Sequence, residues 1–357
     1  MRHLFSREEL LAEALGVPAG IAEAARSVYD GLMAHLRGTE PQDLGWSQGD
    51  DNYVAEVGLE GPFGVGDLVF GSVTVRLVLS IVEGTAEPEL SRSEQVRGYG
   101  SASGPRGPYL ENLREDPVLA LQIMVPEEVD FDDVVGMLAR ERRAAVVDIG
   151  HELMHAYDHH KAGRSSISSV AEYQVASGLR WGVPSLDRFM DFMYFVSGTE
   201  NMVRPAEVST DMSVAGTGRA GFREYLDSSG VVSKLREISR FDYDQMRRDL
   251  ESESREVDRM LEDVGAGDTS GMQPGEKAEL ALRVVRDKLA EFAVGEFDSL
   301  LPEVRTGQQQ AALARYTHAA GRRHVDLDSF YLGWQRRLRR SAREMLRRIA
   351  RLYGTLP

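Results

Sequence analysis

The segment DIGHELMHAYDHH, residues 148–160, contains an HExxH pattern. Residues four apart lie on the same face of an α-helix, so His151 and His155 are expected to present two imidazoles to one metal ion. Zinc binds neutral imidazole well, and a catalytic zinc site takes three protein ligands and a water. Glu152 directly follows the first histidine, so we expect its carboxylate to reach that water and act as a general base. The pattern predicts a zinc-dependent hydrolase.

The third ligand must come from another element, because the position six residues after His155 is Lys161 and not a histidine. Glu200 follows a Ser-Gly-Thr turn and opens a predicted helix, which could bring its carboxylate to the metal. Arg204 lies one turn further on and is predicted to orient that carboxylate. Glu172, which follows a Gly-Ser-rich connection, is the main alternative ligand.

Further polar residues near these motifs have predicted supporting roles. Asp158 lies seven residues after His151, on the same helix face, and is expected to accept a hydrogen bond from an imidazole, with direct ligation as the alternative. Glu207 is a weaker candidate ligand. Tyr194 is the preferred donor to the developing oxyanion, and Tyr157 is a second candidate.

The two motifs together resemble those of gluzincin metallopeptidases, in which HExxH is followed some tens of residues later by a ligand glutamate on another helix. Residues 194–207 are also similar to the pattern Tyr-Tyr-x-Ser-Pro-x-Glu-x-x-Ala-Arg-x-x-Glu of metallopeptidases from phages and prophages. The matching positions are Tyr194, Ser197, Glu200, Arg204 and Glu207, and the departures are Phe195, Gly198 and Val203. The resemblance implies a zinc metalloendopeptidase with Zn²⁺ held by His151, His155 and Glu200.

Hydrophobic periodicity predicts an α+β fold dominated by helices. Alternating apolar residues predict strands near 53–59, 69–81 and 119–125, and from Asp130 the chain is predicted to be helical almost to its end. The expected regions are 1–126, helical and β; 127–215, a zincin-like core with its active-site helix beside a small sheet; and 216–357, helical. In the second strand, six residues are predicted to share one buried face: Val69, Val73, Val75, Leu77, Leu79 and Ile81.

Two further expectations concern the strand at 119–125 and the stretch that precedes it. The resemblance to zincins implies that the strand at 119–125 pairs with extended substrate, as an added strand does. The stretch 83–116 is rich in Gly, Pro, Ser and Glu, and residues 98–108 are predicted to form a mobile lid or a disordered connection.

Composition narrows the classes of protein. Cysteine is absent, so any metal must be held by His, Asp, Glu or backbone oxygen, and no disulfide can form. The first sixteen residues are charged where a signal peptide needs an apolar run, and no apolar stretch is long enough to span a bilayer. We therefore expect a cytoplasmic protein, or one carried within a virion or larger assembly, that acts on a protein or peptide and not at a membrane.

Charge is unevenly distributed along the chain. The net charge is −15, yet residues 318–357 contain ten arginines and three acidic residues. An amphipathic helix docked on an acidic body is the favoured interpretation, and nucleic-acid binding is the less favoured one. The alternative to a peptidase is a non-catalytic structural or assembly protein with a zinc-stabilised helical core. Glu152 favours the peptidase, because a structural zinc site needs no base.

Overall fold

The computed structural model describes residues 17–48, 52–82, 85–90, 117–162, 179–197, 200–300 and 326–355. Only the backbone is described at 158–162, 202, 290–300 and 355. The described residues fall into two compact units. Unit 1 takes its described residues from Met1–Lys161, Met202–Ser229 and Arg348–Pro357, and unit 2 from Ala162–Asn201 and Gly230–Arg347. The predicted regions 1–126, 127–215 and 216–357 stay a prediction.

Helices predominate in the described chain, and the predicted helix-dominated α+β class is confirmed. The helices are α1 (Ile21–Gly38), α2 (Phe131–Arg140), α3 (Arg142–Ala162), α4 (Pro184–Phe195), α5 (Glu200–Val214), α6 (Phe222–Ser228), α7 (Gly230–Ile238), α8 (Tyr243–Ser252), α9 (Ser254–Asp263), α10 (Pro274–Leu300) and α11 (Leu327–Arg351). The strands are β1 (Ser47–Gln48), β2 (Asn52–Val65), β3 (Leu68–Ile81), β4 (Glu89–Leu90) and β5 (Val118–Val125). Short 3₁₀ turns lie at Pro41–Leu44, Arg219–Gly221 and Leu352–Thr355.

Unit 1 contains a mixed sheet with the strand order β1-β2-β3-β5-β4. Strands β2 and β3 form an antiparallel hairpin, β5 runs parallel to β3, and the two residues of β4 pair antiparallel with Met124 and Ile123 of β5. Buried and partly exposed residues alternate along β5, as the period-2 pattern of its sequence predicts. The strand predicted at 119–125 is therefore confirmed.

Val69 is an exception to the buried face predicted for β3. Its side chain is 68% exposed, whereas the neighbouring Phe70 is buried. The register of the β2–β3 hairpin shifts between Glu60 and Phe63, and beyond such an irregularity the opposite residues of a strand face inward. Gly61 lies within the shift, where a Cβ atom would be only 2.6 Å from the carbonyl oxygen of Phe70. The prediction for Val69 is therefore wrong.

Helix α1 anchors the start of the helix that carries the HExxH pattern. Its Tyr29 hydroxyl donates a 2.8 Å hydrogen bond to the carbonyl oxygen of Leu138 in α2. Its Asp30 accepts from Arg142, the first residue of α3, at 3.2 Å. Asp130 caps α2 by accepting from the backbone N–H of Asp132, so both ends of α2 are fixed. These contacts set where α3 begins.

Unit 2 is built around aromatic side chains. The rings of Tyr243 and Tyr331 stack with centroids 5.1 Å apart, and Phe189 packs against Phe241 at 5.7 Å. The Tyr331 hydroxyl donates to the carbonyl oxygen of Leu282. Three residues on one side of α11 within this unit are fully buried: Leu338, Ala342 and Met345. Like the C-terminal helix predicted from the sequence, α11 is amphipathic, with its apolar side in the core.

None of the helices in the described ranges combines the length and the apolar character needed to cross a bilayer. The lid predicted at residues 98–108 lies outside the described residues.

Candidate metal centre

Helix α3 brings two imidazoles together on one face. The Nε2 atoms of His151 and His155 are 3.1 Å apart, and the two rings meet edge to face. Metal–nitrogen bonds of about 2.0–2.1 Å at a tetrahedral ion place two ligand nitrogens about 3.3 Å apart. The observed separation is close to that value, so both Nε2 lone pairs can point at one ion. His151 is 7% exposed, so its ring is largely shielded from solvent.

Glu200 supplies the third group. It is the first residue of α5 and is fully buried. One ligand atom from each of His151, His155 and Glu200 lies within 4.8 Å of the other two. A buried carboxylate is costly unless it is paired or coordinates a metal, and two imidazoles beside it complete a ligand set. The three residues predicted as ligands therefore form a buried group that can hold a metal ion.

Helices α3 and α5 cross closely and run antiparallel. Arg143, near the start of α3, donates to both carboxylate oxygens of Asp211, at 2.6 and 3.0 Å. Thr210, directly before Asp211, faces Gly150 of α3, and Glu207, one turn of α5 earlier, faces His151. A Cβ atom at Gly150 would lie 3.0 Å from the side chain of Thr210, so a larger residue here would have to displace Thr210 by a few tenths of an ångström.

Glu207 fixes the orientation of the His151 ring. The Nδ1 atom of His151 is 3.2 Å from Oε2 of Glu207, and the same oxygen accepts a 2.8 Å hydrogen bond from Nη1 of Arg204. When Nδ1–H donates to this carboxylate, the lone pair of the imidazole is on Nε2, the atom that faces His155. An anionic acceptor also makes the ring a stronger metal ligand.

The charge of Glu207 is set by its neighbours. Burial raises the pKa of the carboxyl group. The positive charge of Arg204 and the hydrogen bond from His151 have the opposite and larger effect, and together they lower the pKa to about 2. The group is therefore ionised at neutral pH. Arg204 itself is 3% exposed, so this ion pair lies inside the protein, where screening by salt is weak.

These contacts change the roles predicted for α5. The sequence predicts that Arg204 orients Glu200, and the geometry adds a hydrogen bond from Arg204 to Glu207. Glu207, weighed from the sequence only as a weak candidate ligand, instead supports His151. Glu200, Arg204 and Glu207 follow one another at intervals of one helical turn on the same face of α5. Their spacing in the sequence therefore indicated that they lie close together. The spacing alone did not indicate which nitrogen of the ring would face them.

A second network, not foreseen from the sequence, continues along the same face of α5. Asp211 accepts a 2.7 Å hydrogen bond from the hydroxyl of Tyr225 in addition to the two from Arg143. Burial and the bond to Asp211 raise the pKa of Tyr225 above its ordinary range, so the phenol stays protonated. The neutral hydroxyl of Tyr225 and the cationic Arg143 thus both donate to the carboxylate of Asp211. These hydrogen bonds connect α5 to α3 and α6.

The remaining predicted site residues have mixed outcomes. Glu152 is half-buried on α3, and Tyr194 is buried near the end of α4. Neither position tests a catalytic role, so the roles of both residues stay predictions. The hydroxyl of Tyr157 lies 3.4 Å from Asp67 in the β2–β3 turn, which places it against the hairpin. Asp158 belongs to α3, but its side chain lies outside the described residues, as does all of Glu172.

The chain was compared with protein-family models, with curated proteins and with solved structures, and none of them matches it. The arrangement of His151, His155 and Glu200 is therefore the basis for assigning a chemistry.

Proposed function

We propose that the protein is a zinc-dependent metalloendopeptidase of the gluzincin type, with His151, His155 and Glu200 as the metal ligands. The observation that carries this proposal is the convergence of two Nε2 atoms 3.1 Å apart with a buried carboxylate. Two imidazoles and one carboxylate suit zinc, and three protein ligands leave a fourth position for water. A site that keeps an open position is typical of catalysis, whereas a structural zinc site is closed.

Glu152 is the proposed general base. A bound zinc ion would polarise the scissile carbonyl and lower the pKa of a water to roughly 7. Glu152, adjacent in sequence to His151 and half-buried, accepts the proton from that water and then passes it to the leaving amine. Tyr194 is the proposed donor to the carbonyl oxygen as it gains negative charge. Asp158 is the proposed acceptor for an imidazole N–H.

Strand β5 supports a peptide as the substrate. On its outer side β4 pairs only with Ile123 and Met124, so within the described ranges the backbone from Val118 to Gln122 has no strand partner on that side. Unpaired N–H and C=O groups at a sheet edge can bind an extended peptide by strand addition. This mode recognises main chain and not sequence ends, which favours cleavage within a chain.

The experiment that tests this proposal separates metal binding from hydrolysis. The 357-residue chain purified without chelator should contain about one zinc per chain, and Glu152→Gln should keep it, because the residue does not ligate the metal. The variant should lose more than about 100-fold of the hydrolysis of a quenched-fluorescence peptide library, since an amide cannot take the water's proton.

Glu128→Gln, at an exposed position, is the matched control and should retain full activity. A fully active Glu152→Gln enzyme would show that the proposed base is wrong. Bound zinc without hydrolysis of any peptide or denatured protein would favour the non-catalytic assembly protein instead. Iron in place of zinc would also count against the proposal, because two histidines and one carboxylate are a ligand set of iron oxygenases too.

A further inference from the structure

The solvent-exposed side of α11 contains a row of arginines. The exposed positions recur every three or four residues, as they must on one face of a helix, and four successive ones are Arg336, Arg340, Arg343 and Arg347. At a rise of 1.5 Å per residue the row is about 16 Å long. All four lie in the part of α11 that belongs to unit 2.

The row differs from the arginines that α11 uses for packing. Arg339 donates to the carbonyl oxygen of Phe241 and to the carboxylate of Asp242. Arg337 lies over the ring of Trp334 at 4.8 Å. These side chains stabilise unit 2, whereas the row points away from the buried side of the helix. The row is therefore not needed to dock α11.

One acidic residue lies beside the row. Glu344 is 3.6 Å from Nη1 of Arg347, and the side chains of the two are 40% and 71% exposed. An exposed ion pair of this kind contributes little and opens readily, so Arg347 remains able to contact another anion. The local charge of the row stays strongly positive on a chain whose net charge is −15.

We infer that this row binds the phosphodiester backbone of nucleic acid without reading its sequence. Arginine donates two parallel hydrogen bonds to a phosphate, which makes it suited to this contact. Each strand of a duplex presents one phosphate per about 3.4 Å along the axis, so a row of about 16 Å spans roughly five phosphates. Four exposed arginines at intervals of about 4.5–6 Å along the helix can each contact a phosphate of such a regularly charged backbone.

A membrane surface fits the helix less well. A helix that lies in the headgroup region buries an apolar face there, but the apolar face of α11 is already buried in the protein core. Leu332, at 37% exposure, is the one large apolar side chain exposed on α11. The negative net charge also repels any polyanion at long range, so contact through the row is local and sensitive to salt.

Fluorescence anisotropy of the full chain with a labelled 20-base-pair duplex tests this inference. Four phosphate contacts predict a plot of log K against log salt with a slope of about −3.6 for duplex DNA and about −2.8 for a single strand. Affinity for the duplex should fall on the order of 100-fold between 50 and 200 mM NaCl. Parallel titrations with single-stranded DNA and duplex RNA of the same sequence identify the preferred form.

The decisive variant changes Arg336, Arg340, Arg343 and Arg347 together to glutamine, which has a similar helix propensity. It should abolish measurable binding while its circular dichroism and metal content stay unchanged. The control variant makes the same change in charge at four other exposed arginines of unit 2: Arg248, Arg255, Arg259 and Arg283. It should bind within about threefold of the unmodified chain, since it removes no contact.

Three results would overturn the inference. Equal loss of binding in the two variants would mean that overall charge, and not the row, controls binding. Affinity without dependence on salt would exclude phosphate contacts. Binding to vesicles of phosphatidylserine and phosphatidylcholine, with none to nucleic acid, would identify an anionic lipid surface as the partner instead.

Discussion

Two polar clusters lie between the same pair of helices, α3 and α5, and they differ in how their charges are balanced. At one end the carboxylate of Asp211 accepts from the guanidinium of Arg143 and from the hydroxyl of Tyr225. At the other end the Nε2 atoms of His151 and His155 face each other beside Glu200. The first cluster joins a carboxylate to a cation and a hydroxyl, whereas the second brings two imidazole nitrogens and a carboxylate oxygen within 4.8 Å of one another.

The difference separates a structural cluster from a chemical one. A carboxylate that accepts from a cation and a hydroxyl needs nothing further, and it stabilises the helix pair. A carboxylate beside two imidazoles, one of them held by Glu207 with Nε2 toward its neighbour, offers three lone pairs to a cation. The predictions below test whether the two ends are as distinct as their geometry indicates.

The largest effect is expected at the two histidines. His151→Ala and His155→Ala should each reduce the zinc content from about one per chain to background, because two remaining ligands do not hold the ion against dilution. Elemental analysis of chelator-free protein measures this. His35→Ala, an exposed histidine on α1, is the control and should keep its zinc. Unchanged zinc content in both His151→Ala and His155→Ala would show that these histidines do not bind the metal.

The next effect is expected at the carboxylate ligand. Glu200→Ala should weaken zinc binding by more than about 100-fold, beyond the 10–100-fold loss typical of residues that only support a ligand. Competition with a chromophoric chelator measures the affinity. Glu172→Ala should leave the affinity unchanged, and Arg204→Ala should reduce it less than Glu200→Ala. The reverse order of Glu200 and Glu172 would show that the other carboxylate completes the site.

A smaller effect is expected at Glu207. Glu207→Gln keeps an acceptor for His151 but loses the negative charge, so zinc affinity should fall about 10-fold. Glu207→Ala loses the acceptor as well, and the fall should approach 100-fold. Nitrogen NMR of the imidazole distinguishes orientation from general damage, because His151 should lose its preference for the Nδ1–H tautomer in Glu207→Ala. An unaltered tautomer with intact affinity would leave Glu207 without a supporting role.

The sequence predicted the parts of this site that depend on local periodicity. A spacing of four residues places His151 and His155 on one face of any helix, and alternation identifies β5 without knowledge of its neighbours. The bond from Arg204 to Glu207 depends instead on how closely α3 and α5 cross, which is set by Gly150 and Thr210 in distant segments. No local pattern contains that distance.

The outcomes for Val69, Tyr225 and Arg143 also depend on contacts between segments that are far apart in the sequence. Val69 follows the alternation of its strand, but the register shift lies between two strands and is a property of the pair. Tyr225 and Arg143 show no motif, because a structural hydrogen bond needs only one donor at the right place in the fold. Glu172, the side chain of Asp158 and residues 98–108 lie outside the described residues, so the predictions for them remain open.

The smallest effect is expected at the charge-balanced end, and it is the sharpest test of the comparison. Asp211→Asn removes the negative charge that Arg143 and Tyr225 share while keeping nearly the same shape. Hydrogen bonds to a charged group contribute roughly 1.5–3 kcal/mol each when buried, but the side chains of Arg143 and Asp211 are 55% and 23% exposed, so we expect a total loss of about 1–2 kcal/mol. Urea unfolding in the presence of a chelator measures this loss without the added stability that bound metal gives.

Zinc affinity should change less than about threefold in Asp211→Asn, since Asp211 is one turn of α5 beyond Glu207 and touches no ligand. Tyr225→Phe, which keeps the charge and removes one donor, should cost about 1 kcal/mol or less. If Asp211→Asn instead lowered zinc affinity as much as Glu207→Gln, the two clusters would act as one network, and the distinction between a structural end and a metal-binding end would fail.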